Sequence, residues 1–219
     1  MPIDVEEAKR LLYTAVLSDV LDDLGLMSQA MLPFVRPLDE DAVLMGRART
    51  GLYAPVYDVA AGENPYENEI ALIDDLRPGD VAVLACGGPT TRIAPWGELL
   101  STASRCRGAA GCVTDGLVRD VRKIREMAFP VFHGGIGPLD SKGRGVMVRT
   151  DVPVECGGVR VVSGDVVFGD VDGVVVVPAA RAEEVFEKAL DKATRENVTR
   201  DELLEGRLLG EVYAKYGVL

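Results

Sequence analysis

The feature that most constrains this chain is a set of short apolar runs punctuated by glycine–aspartate turns. Arg77-Pro78-Gly79-Asp80 leads into Val81-Ala82-Val83-Leu84-Ala85-Cys86, which Gly87-Gly88-Pro89 closes. Six apolar residues in a row, without polar alternation, read as a strand covered on both faces, so the sheet needs a layer on either side. After residue 145 the same texture returns as Val146 to Arg149, Val159 to Val162, Val166 to Phe168 and Val174 to Val177. Gly164-Asp165 and Asp172-Gly173 mark the turns between them. The spacing has no fixed period, so these are independent turns and not a repeat.

Helical patterns alternate with the earlier strands. Residues 4–24 read as one amphipathic helix with apolar positions at three-to-four spacing, Asp4 as N-cap and Gly25 as terminator. Pro33 and Pro37 then break the chain, Ala42 to Leu52 has strand character, and residues 54–69 read as loop and then short helix. Residues 97–107 form a helical pattern stopped by Gly108. Gly111 to Thr114 is a strand, Asp115-Gly116 a turn, 119–127 a short helix and Pro130 to Phe132 a further strand. Gly134 to Gly145 is a glycine-rich loop. Pro178 to Ala193 and 196–216 read as two final helices, the second acidic and Leu-rich. Strands that alternate with helices early and dominate later predict an α/β fold with a mixed sheet.

Composition narrows the chemistry. At 219 residues and 23.4 kDa the chain suits one large domain or a core with an appendage. Only 5% of residues are aromatic and the net charge is −11, so a base-stacking platform or a phosphate-backbone partner is a poor expectation. The four cysteines form no C-x-x-C pair, and reduced thiols in a cytoplasmic protein are expected. The N-terminus has no basic and apolar leader pattern, and no apolar run approaches the ~20 residues of a membrane helix. The single histidine, His133, follows an apolar strand and reads as a turn or supporting residue. Any His-based triad or zinc site would depend on it alone.

The loop from His133 to Gly145 fails as a phosphate loop because Ser141, not Gly, precedes Lys142. It fails as a dinucleotide loop because Asp140 stands where the third glycine belongs. Lys142 and Arg144 remain within reach of an anion. A more chemical constellation lies upstream. Trp96-Gly97-Glu98-Leu99-Leu100 opens a predicted helix, and Val118-Arg119-Asp120 follows a predicted strand and turn. Twenty residues separate Glu98 from Arg119. In an α/β unit those two points can meet at one edge of the sheet, where ligand crevices form. Free amides at a helix start suit a carboxylate, and Arg119 adds an anion grip. Asp120 is a hard oxygen ligand suited to Mg²⁺ or Mn²⁺, and Glu98 could act through a water. Against this, Arg119 and Asp120 could be a plain surface pair and Glu98 a first-turn charge. Local charge favours the first reading. From Thr91 to Arg149 the balance is +5, against −16 over the rest of the chain, so a small anionic ligand suits the middle segment.

Three segments then carry a resemblance: Trp-Gly-Glu-Leu-Leu-Ser at 96–101, Arg-Gly-Ala-Ala-Gly-Cys-Val-Thr-Asp-Gly-Leu-Val-Arg-Asp at 107–120, and Phe-Pro-Val-Phe at 129–132. Together they resemble the RraA-like family, whose enzyme branch contains 4-hydroxy-4-methyl-2-oxoglutarate aldolases that also decarboxylate oxaloacetate. The likeness extends from Ser18-Asp19-Val20-Leu21 to the closing Lys-Tyr-Gly-Val-Leu. It implies a β-rich α/β sandwich similar to the swivelling phosphohistidine domain over residues 1–178, with a C-terminal helical extension over 179–219 packed on the core or on a neighbouring subunit. It further implies that Asp120 binds a divalent metal, Mg²⁺ or Mn²⁺, and that Arg119 contacts a pyruvate moiety. The amides of Leu99 and Leu100, next to Gly97, would hold the carboxylate. Glu98 would stand behind a water as base; many relatives have Asp there, one methylene shorter. A further acid would come from the C-terminal segment of a neighbouring subunit in a homotrimer or homohexamer, with Glu196 as the best match and Glu202 as the alternative. The expected partner is a small anionic 2-oxo acid, with neither nucleic acid nor membrane. A Schiff-base aldolase on Lys142 or Lys123 is the weaker lyase reading. The alternative from another class is a non-catalytic, protein-binding regulator of ribonuclease activity, a branch that lacks most of the C-terminal extension.

Overall fold

The computed structural model describes residues 4–217. Two N-terminal helices, α1 (Val5–Leu11) and α2 (Thr14–Asp23), precede strands β1 (Arg36–Pro37) and β2 (Leu44–Pro55). Helix α3 (Glu67–Asp74), strand β3 (Asp80–Ala85), helix α4 (Glu98–Cys106), strands β4 (Gly111–Thr114) and β5 (Leu117–Val118) and helix α5 (Val121–Glu126) follow. Strands β6 (Val131–His133), β7 (Gly135–Ile136), β8 (Gly145–Thr150), β9 (Val154–Cys156), β10 (Val159–Val161), β11 (Val166–Asp170) and β12 (Gly173–Val177) come next. Helices α6 (Ala182–Leu204) and α7 (Leu209–Tyr216) end the chain.

The main sheet is mixed and eight-stranded, in the order β1-β6-β4-β3-β2-β11-β12, with β8 also on β2. Strands β2, β3, β4 and β6 run parallel to one another, whereas β8, β11 and β12 join antiparallel. Strand β2 is long enough to pair β11 through its first residues and β8 through its last, and a bulge at Leu52/Tyr53 shifts the register within the β8 pairing. The sheet nearly closes on itself. Met31 N donates to Val174 O and Gln29 O accepts from Val176 N at the β12 edge. A few residues on, β1 pairs with β6 at the opposite edge.

Alternation in the strands explains the closure. In β3, Val81, Val83 and Ala85 point into one cluster, shared with Phe132, Val167 and Val176, while Ala82 and Leu84 point into another with Trp96, Cys112 and Ile124. Val175, Val177 and Phe168 face a third, which α1, α2 and α6 cover with Leu17, Leu21 and Phe186. The apolar runs are therefore strands with an interior face and a helix-covered face, as their lack of polar alternation predicts. Each fully buried Leu or Phe side chain contributes about 1.5–3 kcal/mol.

Two helix boundaries differ from the sequence expectation. The pattern over 4–24 is two helices, because Leu12 and Tyr13 are extended and a new helix starts at Thr14. The buried Asp170 carboxylate accepts from both Thr14 N (2.8 Å) and Thr14 Oγ1 (2.6 Å), so the restart is held from 156 residues away. At the other end, the two expected helices merge across 194–195 into α6, which has no Gly or Pro to interrupt it. The break falls instead at Gly206, which has φ +89°. Helix α6 packs on the core of its own chain, with Val185, Phe186 and Ala189 fully buried in the cluster that α2 also lines.

Candidate active site

The site forms where the parallel strands end. The segments after β3, β4 and β6 converge at one edge of the sheet, the place where α/β folds collect ligands. A small parallel ladder fixes them. Arg119 N donates to Trp96 O, Leu117 N to Ile93 O and Gly137 N to Val118 O, so residues 93–97, β5 and β7 lie side by side. They enclose a cleft of about 300 Å³, the low end of ligand-pocket size, which suits a small molecule. It is lined by residues 94–97, Leu99, Leu100, Arg119 and Asp120, together with Tyr66, Glu69 and Ile70 from the α3 side and Asp140 and Ser141.

Helix α4 begins on Gly97, without a side-chain cap, and its first turn offers the amides of Glu98, Leu99 and Leu100. Glu98 N lies 3.3 Å from Asp120 Oδ2, which leaves the Leu99 and Leu100 amides at the cleft without an intrahelical acceptor. Asp120 has left-handed backbone angles, φ 59° and ψ 27°, a conformation costly for a non-glycine residue and concentrated at functional sites. That turn swings its carboxylate back over Gly97. A Cβ at position 97 would lie 2.9 Å from Asp120 Oδ2 and 3.1 Å from Arg119 Cγ, so only glycine lets the helix start approach this pair.

Arg119 is set between two acids: its Nε is 3.7 Å from Asp120 Oδ2 and its Nη1 is 3.8 Å from Asp140 Oδ1. Both contacts are long, so much of its hydrogen-bonding capacity is available to a ligand. Asp140 accepts from Tyr66 Oη at 2.7 Å and from Lys142 N at 3.3 Å. Burial pushes its carboxyl up, but these hydrogen bonds and the Arg119 charge outweigh that and hold it below the usual carboxylate range. Burial together with the Asp140 bond pushes Tyr66 up to about 12. Glu69 is buried and accepts from Tyr53 Oη, and its desolvation raises its pKa.

The cleft therefore brings together Gly97, Leu99, Leu100, Arg119 and Asp120 of the residues expected from sequence. The other expected acids lie elsewhere. Glu98 turns its carboxylate to Thr102 Oγ1 (3.1 Å) along the helix and is not part of the lining. Glu196, on α6, accepts from Tyr13 Oη; Glu202 pairs with Lys215 (2.5 Å) and Tyr216 (2.8 Å) on α7. Arg144 bonds Asp140 O rather than reaching into the cleft, and His133 is buried at the end of β6. Sequence reasoning missed Tyr66, Glu69 and Asp140. They belong to no motif, and the only trace was the glycine-rich loop around Asp140. Among the described residues no three His, Cys, Asp or Glu side chains are gathered for a metal. Of the acids expected at a metal, the cleft contains Asp120, whose side chain is 47% exposed; a lone carboxylate of this kind can hold a hard cation that keeps several waters.

A nearly closed mixed sheet, with free helix amides, Arg119 and the carboxylates of Glu69, Asp120 and Asp140 lining one cleft, defines an α/β protein built around a small-ligand cleft. The chain belongs to the RraA-like family: the profile described as Aldolase/RraA matches residues 14–176. A relative from Halalkalibacterium halodurans, provisionally named 4-hydroxy-4-methyl-2-oxoglutarate aldolase, is 34% identical over 209 residues, covering 92% of this chain and 91% of its own. Among solved structures, a Pseudomonas syringae protein of uncharacterised function aligns with TM-score 0.81 and 27% identity over 94% of both chains. Streptomyces coelicolor RraAS2, described as an unusual member of the RNase ES inhibitor RraA family, aligns with TM-score 0.81 and 30% identity over 90% of this chain and 96% of its own.

Proposed function

We propose that this chain is a divalent-metal-dependent lyase that cleaves 4-hydroxy-4-methyl-2-oxoglutarate or a related 4-hydroxy-2-oxo acid to pyruvate, with oxaloacetate decarboxylation as a side activity. The observation that carries the reading is the convergence of the free Leu99 and Leu100 amides, Arg119 and Asp120 on one small cleft. The aldolase name of the H. halodurans relative points the same way. In this reading the two amides hold the substrate carboxylate, where the helix start favours negative charge. Arg119 binds the 2-oxo oxygen and stabilises the negative charge that develops there. Asp120 holds Mg²⁺ or Mn²⁺, which when bound supplies Lewis-acid polarisation of the 2-oxo group. Loss of the C4 hydroxyl proton is followed by breakage of the C3–C4 bond. The bond electrons form the pyruvate enolate, C4 becomes a carbonyl, and the enolate is then protonated at C3. Glu98, acting through water, is the base, and this requires its carboxylate to turn away from Thr102. With oxaloacetate the same enolate forms by loss of CO₂. Glu196 of a neighbouring subunit in a homotrimer or homohexamer completes the metal surroundings, and the finer likeness to the swivelling phosphohistidine domain belongs to the same proposal.

The test is pyruvate release by purified protein supplied with Mg²⁺ or Mn²⁺. Turnover of a 4-hydroxy-2-oxo acid or of oxaloacetate, abolished by EDTA and by Asp120→Ala, is the expected result. No turnover of any such acid would sink the proposal. It would favour the second reading, a non-catalytic regulator of ribonuclease activity, which the similarity to S. coelicolor RraAS2 supports.

A further inference from the structure

Cleavage of a 4-hydroxy-2-oxo acid, like decarboxylation of oxaloacetate, ends with an enolate that must take a proton at C3. The donor has to line the cleft, carry a proton, and have its donating atom free of other partners. Asp140, held below the usual carboxylate range, is ionised and has no proton to give. Tyr66 commits its hydroxyl proton to Asp140. Arg119 and Asp120 grip the substrate and the metal in the proposed reading. Glu69 differs from all four. It belongs to α3, is only 8% exposed, and its Oε2 accepts from Tyr53 Oη, itself buried in β2. Its Oε1 has no hydrogen-bond partner among the described residues, yet it is not sealed from solvent, so on this lining residue it opens to the cleft. Burial, against the Tyr53 bond, raises the carboxyl pKa and so favours the protonated form. The Asp140 charge adds to the rise and the Arg119 charge opposes it.

From this we infer that Glu69 is the acid that delivers the C3 proton, with Tyr53 as the residue that positions it. This assignment rests on the proposed lyase reading and adds a catalytic residue to it. A substrate gripped by its carboxylate and 2-oxo oxygen holds C3 one bond beyond the grip, inside the cleft, where the remaining lining groups can reach it. The Glu69 Oε1–H bond breaks, the enolate electron pair forms the C3–H bond, and the 2-oxo carbonyl is restored. Glu69 is left as a carboxylate that keeps the Tyr53 hydrogen bond, and a solvent proton entering the cleft restores the acid. The C4 hydroxyl proton leaves by the separate base, so the two transfers balance. In its neutral form Glu69 repels no distal carboxylate, so a dicarboxylate substrate fits the assignment.

Run in reverse, the same step has the Glu69 carboxylate take a methyl proton from bound pyruvate, so it can be followed without C–C cleavage. The Mg²⁺-supplied full chain is incubated with pyruvate in D₂O, and loss of the methyl proton signal by NMR gives the exchange rate. CO₂ release from oxaloacetate, which precedes protonation at C3, gives a second rate on the same preparation. Glu69→Gln is expected to lower the ratio of exchange to CO₂ release at least about 100-fold, and Tyr53→Phe about ten-fold. A general loss of fold or of metal lowers both rates together and leaves the ratio in place. A ratio unmoved by Glu69→Gln, or CO₂ release without exchange in the unsubstituted chain, overturns the inference and leaves the lyase reading standing. If Glu69→Gln does not fold, an unmoved ratio in Tyr53→Phe overturns it instead. If the unsubstituted chain neither exchanges pyruvate nor cleaves oxaloacetate or a 4-hydroxy-2-oxo acid, the lyase reading falls and this inference with it.

Discussion

At the scale of single residues, the site depends on two backbone concessions. Asp120 occupies left-handed angles that glycine would occupy without strain. Asp120→Gly is therefore expected to hold or raise stability by up to about 1 kcal/mol, while lowering metal-dependent kcat/KM by at least about 100-fold. Chemical denaturation beside turnover separates the two effects, and retained turnover would remove Asp120 from the chemistry. Gly97 is the complementary case. Gly97→Ala places a methyl 2.9 Å from Asp120 Oδ2 and 3.1 Å from Arg119 Cγ, and should cost at least about ten-fold in kcat/KM with a stability loss of about 1–3 kcal/mol. His133 has a role in stability. Burial, and secondarily the Arg125 charge, lowers its pKa to about 4, against 6.5 for a free imidazole. The unfolded chain then binds more protons between those values, so the neutral imidazole's contribution is complete above about pH 6.5 and is lost as pH falls toward 4. The loss reaches up to about 3 kcal/mol. His133→Asn should flatten that part of the stability–pH curve; an unchanged slope would place the titration on other groups.

At the scale of elements, β2 is the member on which the sheet depends, because it pairs β3 on one side and β11 and β8 in succession on the other. Gly46 in β2 meets Gly79 O and Val81 Cγ2 so closely that an added Cβ overlaps both. Gly46→Ala should destabilise by more than about 3 kcal/mol, as read from the denaturation midpoint, and a neutral result would mean the β2–β3 approach is wider than described. The strands themselves were readable from sequence. Gly111 to Thr114 was recovered with its boundaries, and the valine runs fell within a residue or two of β3, β8, β11 and β12. The helix ends were not. The cap that starts α2 is Asp170, and no local pattern around Thr14 could reveal an acceptor 156 residues away. Strand β9 was missed because its Val154-Glu155-Cys156 is too short to show a period.

At the scale of the whole molecule, apolar surface remains around the cleft. Leu99 is 75% exposed and Ile136 59%, beside Ile70 at the mouth. Light scattering on the purified protein should give a mass three or six times the 23.4 kDa of one chain, and a monomer would remove the route by which Glu196 could reach a neighbouring cleft. Among the described residues, no helix is long and apolar enough to cross a membrane.

Local sequence is enough to show that this chain builds strands covered on two faces, that residues 91–149 are basic within an acidic whole, and that Glu98, Arg119 and Asp120 form a spaced set. These are properties of neighbours along the chain, where apolar period, turn chemistry and charge are local. Only the tertiary structure decided which acids meet the guanidinium. It turned Glu98 to Thr102, kept Glu196 at Tyr13, and brought Asp140 and Glu69 into the cleft that Arg119 lines. The reason is physical: a polar contact depends on distance and orientation in space. Those were set by how the near-closed sheet brings the segments after β3, β4 and β6 to one edge, beside α3.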